Sequence, residues 1–273
     1  MGWPVMHSRS PVLHNYFFKH YGLAGTYVPL AIKPDDLEAA LRALAPLGFA
    51  GCNLTIPHKE RALAIVDEID DLARRIGAIS CVVVRPDGSL AGTNNDVHGF
   101  ARNILQQQPA WRADAGPAVV IGAGGGARAV VYSLADRGAR EIRVANRTRA
   151  RAEALARDFG PSVTPIDWDD RHRALDGAAM LVNTTSQGMV GQPPLDLELA
   201  RFRRAPWSPT SFMFRSKRRC LPRRATAATA PSTASGCCFT RRASPGSSGS
   251  DSSRRSRRSC APPLKRRCRI NRT

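Results

Sequence analysis

The chain has 273 residues and a formal net charge of +19, from 41 Lys and Arg against 22 Asp and Glu. Residues 1–200 hold 21 basic and 21 acidic side chains, whereas residues 201–273 hold 20 basic and a single acid, Asp251. The excess therefore lies wholly in the tail, which excludes a basic globule that grips nucleic acid over its whole surface and leaves a neutral body with an abnormal end.

The body is long enough for two cores of about 100 residues each. It contains Cys52 and Cys81, while Cys220, Cys237, Cys238, Cys260 and Cys268 lie in the tail. Two body cysteines fit a reducing cytosol better than a disulfide framework. The N-terminus reaches the polar run His7-Ser8-Arg9-Ser10 before an apolar signal core could form, and no later run approaches the ~20 apolar residues of a membrane span. The expectation is a soluble, cytoplasmic protein.

Strands and helices alternate along the body. Thr26–Leu30 reads as a short strand, and Pro34-Asp35-Asp36 opens a helix with Leu37, Leu41 and Leu44 at helical spacing. Phe49–Leu54 reads as a second strand running into Thr55-Ile56-Pro57-His58-Lys59, with helical text to Arg75. Ile79–Val84, a turn at Pro86-Asp87-Gly88 and a return toward Thr93 form a hairpin, and Val97–Leu105 is a helix linking two domains. The second half begins with Pro117–Ile121, an apolar run suited to a buried parallel strand. It continues through Gly122-Ala123-Gly124-Gly125-Gly126-Ala127, a helix to Leu134, a strand at Glu141–Ala145, a helix at Arg149–Phe159 and a strand at Ala178–Val182.

The expected fold class is therefore α/β: an N-terminal α/β substrate domain at 1–97, a Rossmann-like NADP-binding domain at 98–200 that is incomplete at its C-terminal end, and an aberrant basic tail at 201–273. The spacing Gly122-x-Gly124-x-x-Ala127 between a strand and a helix lets backbone approach a pyrophosphate, whose charge then faces the positive helix end. At the end of the next strand an NAD site usually places an acid, but this chain has Asn146-Arg147-Thr148, with Arg151 one turn on. Arginine offers forked donors to a 2′-phosphate, so the expected cofactor is NADP.

Three polar clusters mark the first hundred residues. His7-Ser8-Arg9-Ser10-Pro11 offers two hydroxyls on an extended segment, Asn53–Lys59 places a hydroxyl and an amine past a strand end, and Thr93–Phe100 places an amide and a carboxylate at a helix start. Singly, each suits a turn or a cap; Asp96 alone would be an N-cap and Lys59 a surface lysine. Together, beside a nicotinamide fold, they point to a small anionic substrate reduced next to an amine and a carboxylate.

Gly2-x-Pro4, His7-Ser8-x-Ser10-Pro11-x-x-His14-Asn15, Gly51-x-Asn53-Leu54-Thr55-Ile56-Pro57-x-Lys59, Gly77-Ala78, Asn94-x-Asp96-x-x-Gly99-Phe100, Gly122-Ala123-Gly124-Gly125, Asn146-Arg147-Thr148 and Asn183-Thr184-Thr185-Ser186-x-Gly188-Met189 together resemble the shikimate dehydrogenase family. The resemblance covers almost all of residues 1–200. It implies NADPH-dependent reduction of 3-dehydroshikimate to shikimate, on the chorismate route to aromatic amino acids. It implies Lys59 and Asp96 as the catalytic pair, and Ser8, Ser10, Thr55 and Ser80 at the substrate. For the cofactor it implies Asp71, Gly122, Ala123, Gly124, Gly125, Gly126, Asn146, Arg147, Thr148 and Arg151. No metal is expected; the partner is a small molecule, with no membrane and no specific nucleic acid, and a homodimer is compatible with the reading.

The chain departs from that family in four places. It begins at the glycine of the first motif, so the preceding apolar strand is mostly missing, as a start codon set too late would explain. Ser80-Cys81 stand where the family has Asn-Thr, and Asn95 replaces a threonine, which leaves quinate open as a substrate. Beyond Leu199-Ala200 the text becomes rich in Arg, Ser and Ala without a sustained period. Read one base out of frame, Thr210–Lys217 permits aspartate, isoleucine, valine, tyrosine, valine, proline, leucine and glutamate, the family's strand at this point. Thr233–Thr240 in the same frame permits the family's glycine-leucine-glycine-methionine segment. A frameshift near 200–209 is expected, with disorder from about residue 205 onward, loss of the last sheet strands and impaired activity. The competing reading is a non-enzymatic nucleic-acid binder acting through the tail, although Phe202, Trp207, Phe212, Phe214 and Phe239 are not interleaved with the later arginine clusters as stacking platforms would be.

Overall fold

The computed structural model describes residues 1–188 and 191–202, together with the backbone of Phe212–Arg215. The first half runs α1 (Ser10–His20), α2 (Leu37–Arg42), β1 (Gly51–Asn53), α3 (His58–Arg61), β2 (Glu68–Ile69), α4 (Asp71–Ile76), β3 (Cys81–Val84) and β4 (Leu90–Thr93). Its sheet has the order β1-β3-β4-β2, antiparallel except for the β2–β4 pair. Leu37, Leu41 and Leu44, three and four residues apart as expected, are fully buried against Leu54, Ile79, Val82 and Leu90.

Three local expectations change. The helical text up to Arg75 is broken by β2 into α3 and α4. Thr26–Leu30 is not a named strand; the chain there only flanks an isolated parallel bridge between Gly2 and Ala31. His7–Pro11 is not wholly extended, because Ser10 opens α1, with Pro11 in the first turn and Lys19 and His20 in the last, where they suit the helix ends. No residue of α1 is buried, although Val12, Leu13, Tyr16 and Phe17 recur at helical spacing in its sequence.

The second half follows with α5 (Asp96–Gln107), which crosses the expected boundary at 97/98, then β5 (Ala118–Ile121), α6 (Gly125–Asp136), β6 (Ile142–Ala145), α7 (Arg149–Phe159), β7 (Val163–Ile166), β8 (Met180–Asn183), α8 (Leu199–Phe202) and β9 (Phe212–Arg215). Its strands are all parallel in the order β7-β6-β5-β8-β9, the doubly wound arrangement. The four residues of β5 and of β8 are buried throughout, as a sheet covered on both faces requires. Val120, Val131, Leu134 and Val144 fill one face, and Val119, Ile121, Leu175 and Leu181 the other.

The expected loss of the sheet's last strands is corrected in part. Phe212–Arg215 pairs with Met180–Asn183 as the fifth strand. The rest of the expected disorder beyond residue 205 lies outside the described residues. Cys52 is a buried free thiol, as expected.

The two halves are fastened together near the cleft. Arg128 on α6 donates to the Ile76 carbonyl at the end of α4 and pairs with Asp158 at 2.5 Å. Gly77 caps α4 with φ +68°, and any side chain there would collide with the Arg128 guanidinium. Ile76, Ala78, Val97 and Ala129 bury a small shared core beside it.

Candidate active site

The end of β1 and the turn after it deliver Lys59. Pro57 stands at the N-cap of α3, and the Lys59 carbonyl accepts from Ile79 N–H at 2.8 Å, so the lysine backbone is tied to the segment entering β3. Asp96 is delivered from the other side by Asn94, whose side chain is buried. Asn94 Nδ2 donates to the Ala78 carbonyl at 2.7 Å, and its Oδ1 accepts from Asp96 N–H at 2.9 Å. Lys59 Nζ donates to Asp96 Oδ2, and the two side chains are only 12% and 14% exposed. An ion pair this sheltered from water is screened little, so amine and carboxylate hold one geometry.

The pair opens on a cavity of about 510 Å³ between the two halves, which Ser8, Ser10 and Thr55 also line. The hydroxyl cluster is braced by residues that sequence reasoning did not single out as site residues. Tyr27 donates from its hydroxyl to Asn53 Oδ1 at 3.0 Å and stacks on His14 with ring centroids 4.4 Å apart. Burial pushes the Tyr27 phenol up to about 12; the nearby Cys52 adds to this and a hydrogen bond with Ser10 opposes it. Burial likewise pushes the Cys52 thiol up to about 11, against the α-amino group of Met1, so it is no nucleophile at neutral pH. Glu60, Trp168 and Gln187 line the cavity too, and nothing in their local sequence set them apart.

On the opposite wall, Gly122, Ala123, Gly124, Gly125 and Gly126 form the turn from β5 into α6. Gly122 has φ +107°, and a Cβ on it would meet Thr184 Oγ1 at 2.5 Å, so the turn needs glycine to pass that close to the end of β8. β5 and β8 are adjacent strands whose connections run in opposite directions, the switch point where such sheets bind ligands. The N-terminus of α6 has no side-chain cap, and a Cβ at Gly126 would meet nothing within 4 Å. Backbone donors thus face the cavity with room for an anion. Asn146, Arg147 and Arg151 line the same wall, so the residues present fit a phosphorylated dinucleotide. Gly125 has a second duty beside the expected one: its missing Cβ would lie 2.7 Å from the Lys59 Cβ, so it lets α3 close on the turn.

Three expected site residues do not reach the cavity. Asp71 lies exposed in the first turn of α4, beside Asp70, whose carboxylate caps that helix by accepting from Ala73 N–H at 2.5 Å. Ser80 is fully buried, and its Oγ accepts from Asn95 N–H at 2.9 Å, so it supports the turn that carries Asp96. Thr148 is exposed at the N-cap of α7, where its carbonyl accepts from Asn146 Nδ2 at 2.8 Å. Among the described residues no cluster of His, Cys, Asp and Glu could hold a metal, and no helix is long and apolar enough to cross a membrane.

Residues 1–82 match the family model for the shikimate dehydrogenase substrate binding domain, and residues 105–191 match that for shikimate / quinate 5-dehydrogenase. The chain is 56% identical over 200 residues to a shikimate dehydrogenase (NADP(+)) of Paramagnetospirillum magneticum, covering 73% of this chain and 72% of that one. It is 53% identical over 203 residues to the protein of the same name from Rhodospirillum rubrum, with the same coverage. Among solved structures it is similar to the Thermus thermophilus shikimate 5-dehydrogenase in complex with NADP(H) and shikimate, at 34% identity and a TM-score of 0.66, covering 78% of this chain and 76% of that one. It also resembles the Corynebacterium glutamicum quinate dehydrogenase in complex with NAD, at 28% identity and a TM-score of 0.68, covering 79% and 78%. With its motifs, both family models and these relatives in agreement, the chain belongs to the shikimate dehydrogenase family.

Proposed function

We propose that this chain interconverts 3-dehydroshikimate and shikimate with NADP(H), in the cytoplasm and on the route to aromatic amino acids. The observation that carries the reading is the sheltered Lys59–Asp96 pair, set between a hydroxyl cluster and an uncapped glycine turn on the walls of one cavity. Shikimate is favoured over quinate because the relatives at 56% and 53% identity are named for shikimate, while the quinate enzyme stands at 28%.

The cofactor, when bound, supplies the hydride. The residues of the chain do the remainder. Reduction of a ketone builds negative charge on its oxygen, and the Lys59 ammonium hands that oxygen a proton; in the reverse direction the amine takes the proton back. Asp96 accepts from Nζ and keeps it aimed into the cavity. Ser8, Ser10 and Thr55 offer hydroxyls to the carboxylate and ring hydroxyls of the substrate. Gly122–Gly126 and the α6 N-terminus take the pyrophosphate, and Arg147 and Arg151 take the 2′-phosphate. The test is shikimate-dependent NADPH formation by purified protein. Lys59→Ala is expected to cut kcat by about 10²-fold or more while leaving the melting temperature near that of the parent. Near-normal turnover in Lys59→Ala would refute the assignment.

A further inference from the structure

We infer that Glu60 determines how strongly the site discriminates between phosphorylated and unphosphorylated dinucleotides, by holding Arg151 until a 2′-phosphate takes it over. This rests on the proposed role of Arg147 and Arg151 toward that phosphate. Arg151 Nη2 donates to both oxygens of Glu60, at 2.7 and 2.8 Å. The partners are 91 residues apart in sequence and come from opposite walls of the cleft, Glu60 from α3 beside Lys59 and Arg151 from α7. Both line the cavity. The carboxylate also stands at the glycine turn, for a Cβ at Gly124 would meet Glu60 Oε1 at 3.8 Å and no other atom within 4 Å.

Glu60 thus offers Arg151 and the edge of the uncapped α6 N-terminus the negative charge that a phosphate would bring. Two anions compete for one guanidinium. Both side chains are partly exposed, at 51% and 39%, so the pair is a weak surface bridge that a more highly charged phosphate displaces. A dinucleotide without the 2′-phosphate has nothing to exchange for the carboxylate and leaves the pair intact. Glu60 therefore lowers affinity for NADP+ selectively and, once the cofactor leaves, recaptures Arg151.

The experiment is binding of NADP+ and NAD+ to the full chain by calorimetry, for the parent, Glu60→Gln, Arg151→Ala and the double variant, with adenosine 2′,5′-bisphosphate as a probe of the phosphate alone. Glu60→Gln is expected to bind NADP+ and the bisphosphate about three- to fivefold more tightly, the range that loss of a surface bridge allows, with NAD+ unchanged. The gain should vanish at about 1 M salt and in the Arg151→Ala background; Glu60→Ala should act in the same direction. Unchanged NADP+ affinity, an equal gain for NAD+, or a gain that survives in Arg151→Ala would overturn the inference. A parent that prefers NADP+ together with a silent Glu60→Gln would sink this inference alone. A parent with no preference for NADP+ would remove the phosphate assignment and this inference with it.

Discussion

Gly125 offers the sharpest test of how the two halves meet. In Gly125→Ala the new methyl would lie 2.7 Å from Lys59 Cβ and 3.4 Å from both Lys59 Cδ and Ala78 Cβ. Carbon pairs sit comfortably at about 3.5–4.0 Å, so α3 and α6 must separate by about 1 Å. The obstacle is the root of the lysine side chain and cannot swing away as a flexible tip would. Overpacking of this kind costs roughly 1–3 kcal/mol, which for a chain of this size lowers the melting temperature by only a few degrees per kcal/mol. The catalytic cost is larger, because a displacement of about 1 Å in a positioned proton donor lowers turnover by about 10²-fold. Steady-state kinetics with shikimate and NADP+ should show kcat falling by that factor while the KM for NADP+ changes little. Gly126→Ala is the contrasting variant: its Cβ would meet no protein atom within 4 Å but lies in the pyrophosphate turn, so it should raise the KM for NADP+ and spare kcat. Wild-type kcat in Gly125→Ala, or an equal loss in Gly126→Ala, would show that the approach of α3 to the turn does not set the position of Lys59.

Arg147→Asp should lower kcat/KM for NADP+ relative to NAD+ by about tenfold or more, since it replaces a donor to the 2′-phosphate with an acid suited to a ribose hydroxyl; the ratio measured with both cofactors checks this. Ser80→Ala strips Asn95 N–H of its acceptor, so it should cost about 1–3 kcal/mol of stability and lower kcat through Asp96 while leaving the shikimate KM near that of the parent. A rise in KM alone would instead restore Ser80 as a substrate contact. Alkaline stability follows from Tyr27 and Cys52, raised in the fold from 10 to about 12 and from 9 to about 11. Folding holds both protons more tightly than the unfolded chain does, so their contribution is complete below about pH 9 and is lost as the pH rises through 11 to 12. Melting temperatures taken from pH 8 upward should fall across that window, and the fall should be shallower in Tyr27→Phe.

The parts of the molecule legible in its sequence are those whose chemistry is local. An apolar run, a glycine turn and a helix sit within about 20 residues, and β5, the turn and α6 appear where that run predicts. Leu37, Leu41 and Leu44 declare a buried helix face by their spacing alone. Lys59 and Asp96 were legible as a pair through the resemblance, and the structure joins them across 37 residues. What stayed hidden depends on partners distant in the chain. Ser80 looked like a substrate ligand because its position in the motif matches one, yet its hydroxyl is committed to Asn95 N–H. Gly125 reads in the sequence only as a pyrophosphate glycine, and the structure shows that it also makes room for Lys59. Glu60 sits in plain text beside the lysine and becomes informative only when α7 brings Arg151 against it.

The basic excess that dominates the composition lies outside this chemistry. Every cavity residue assigned a role here falls between Ser8 and Arg151, within the part of the chain whose charges balance. The described residues nevertheless leave one element poorly supported. None of α1 is buried, and Val12, Tyr16 and Tyr21 are more than half exposed. An isolated helix of 11 residues is marginal in water, and Ser10 is its first residue. Within the described residues, α1 is held by Asn15, which donates to the Tyr27 carbonyl at 2.9 Å and accepts from Tyr27 N–H at 2.8 Å, and by the stack of His14 on the Tyr27 ring. Tyr27 in turn is fixed to Asn53 at the end of β1. The α1 side of the hydroxyl wall, which carries Ser10, is therefore braced by Tyr27, whereas Thr55 is tied to Met1 beyond β1 and the Lys59–Asp96 wall stands on the sheet and on α5. Loss of the Tyr27 contacts, as in Tyr27→Ala, should consequently appear first as weakened substrate binding and lowered stability, with the proton-transferring pair still assembled.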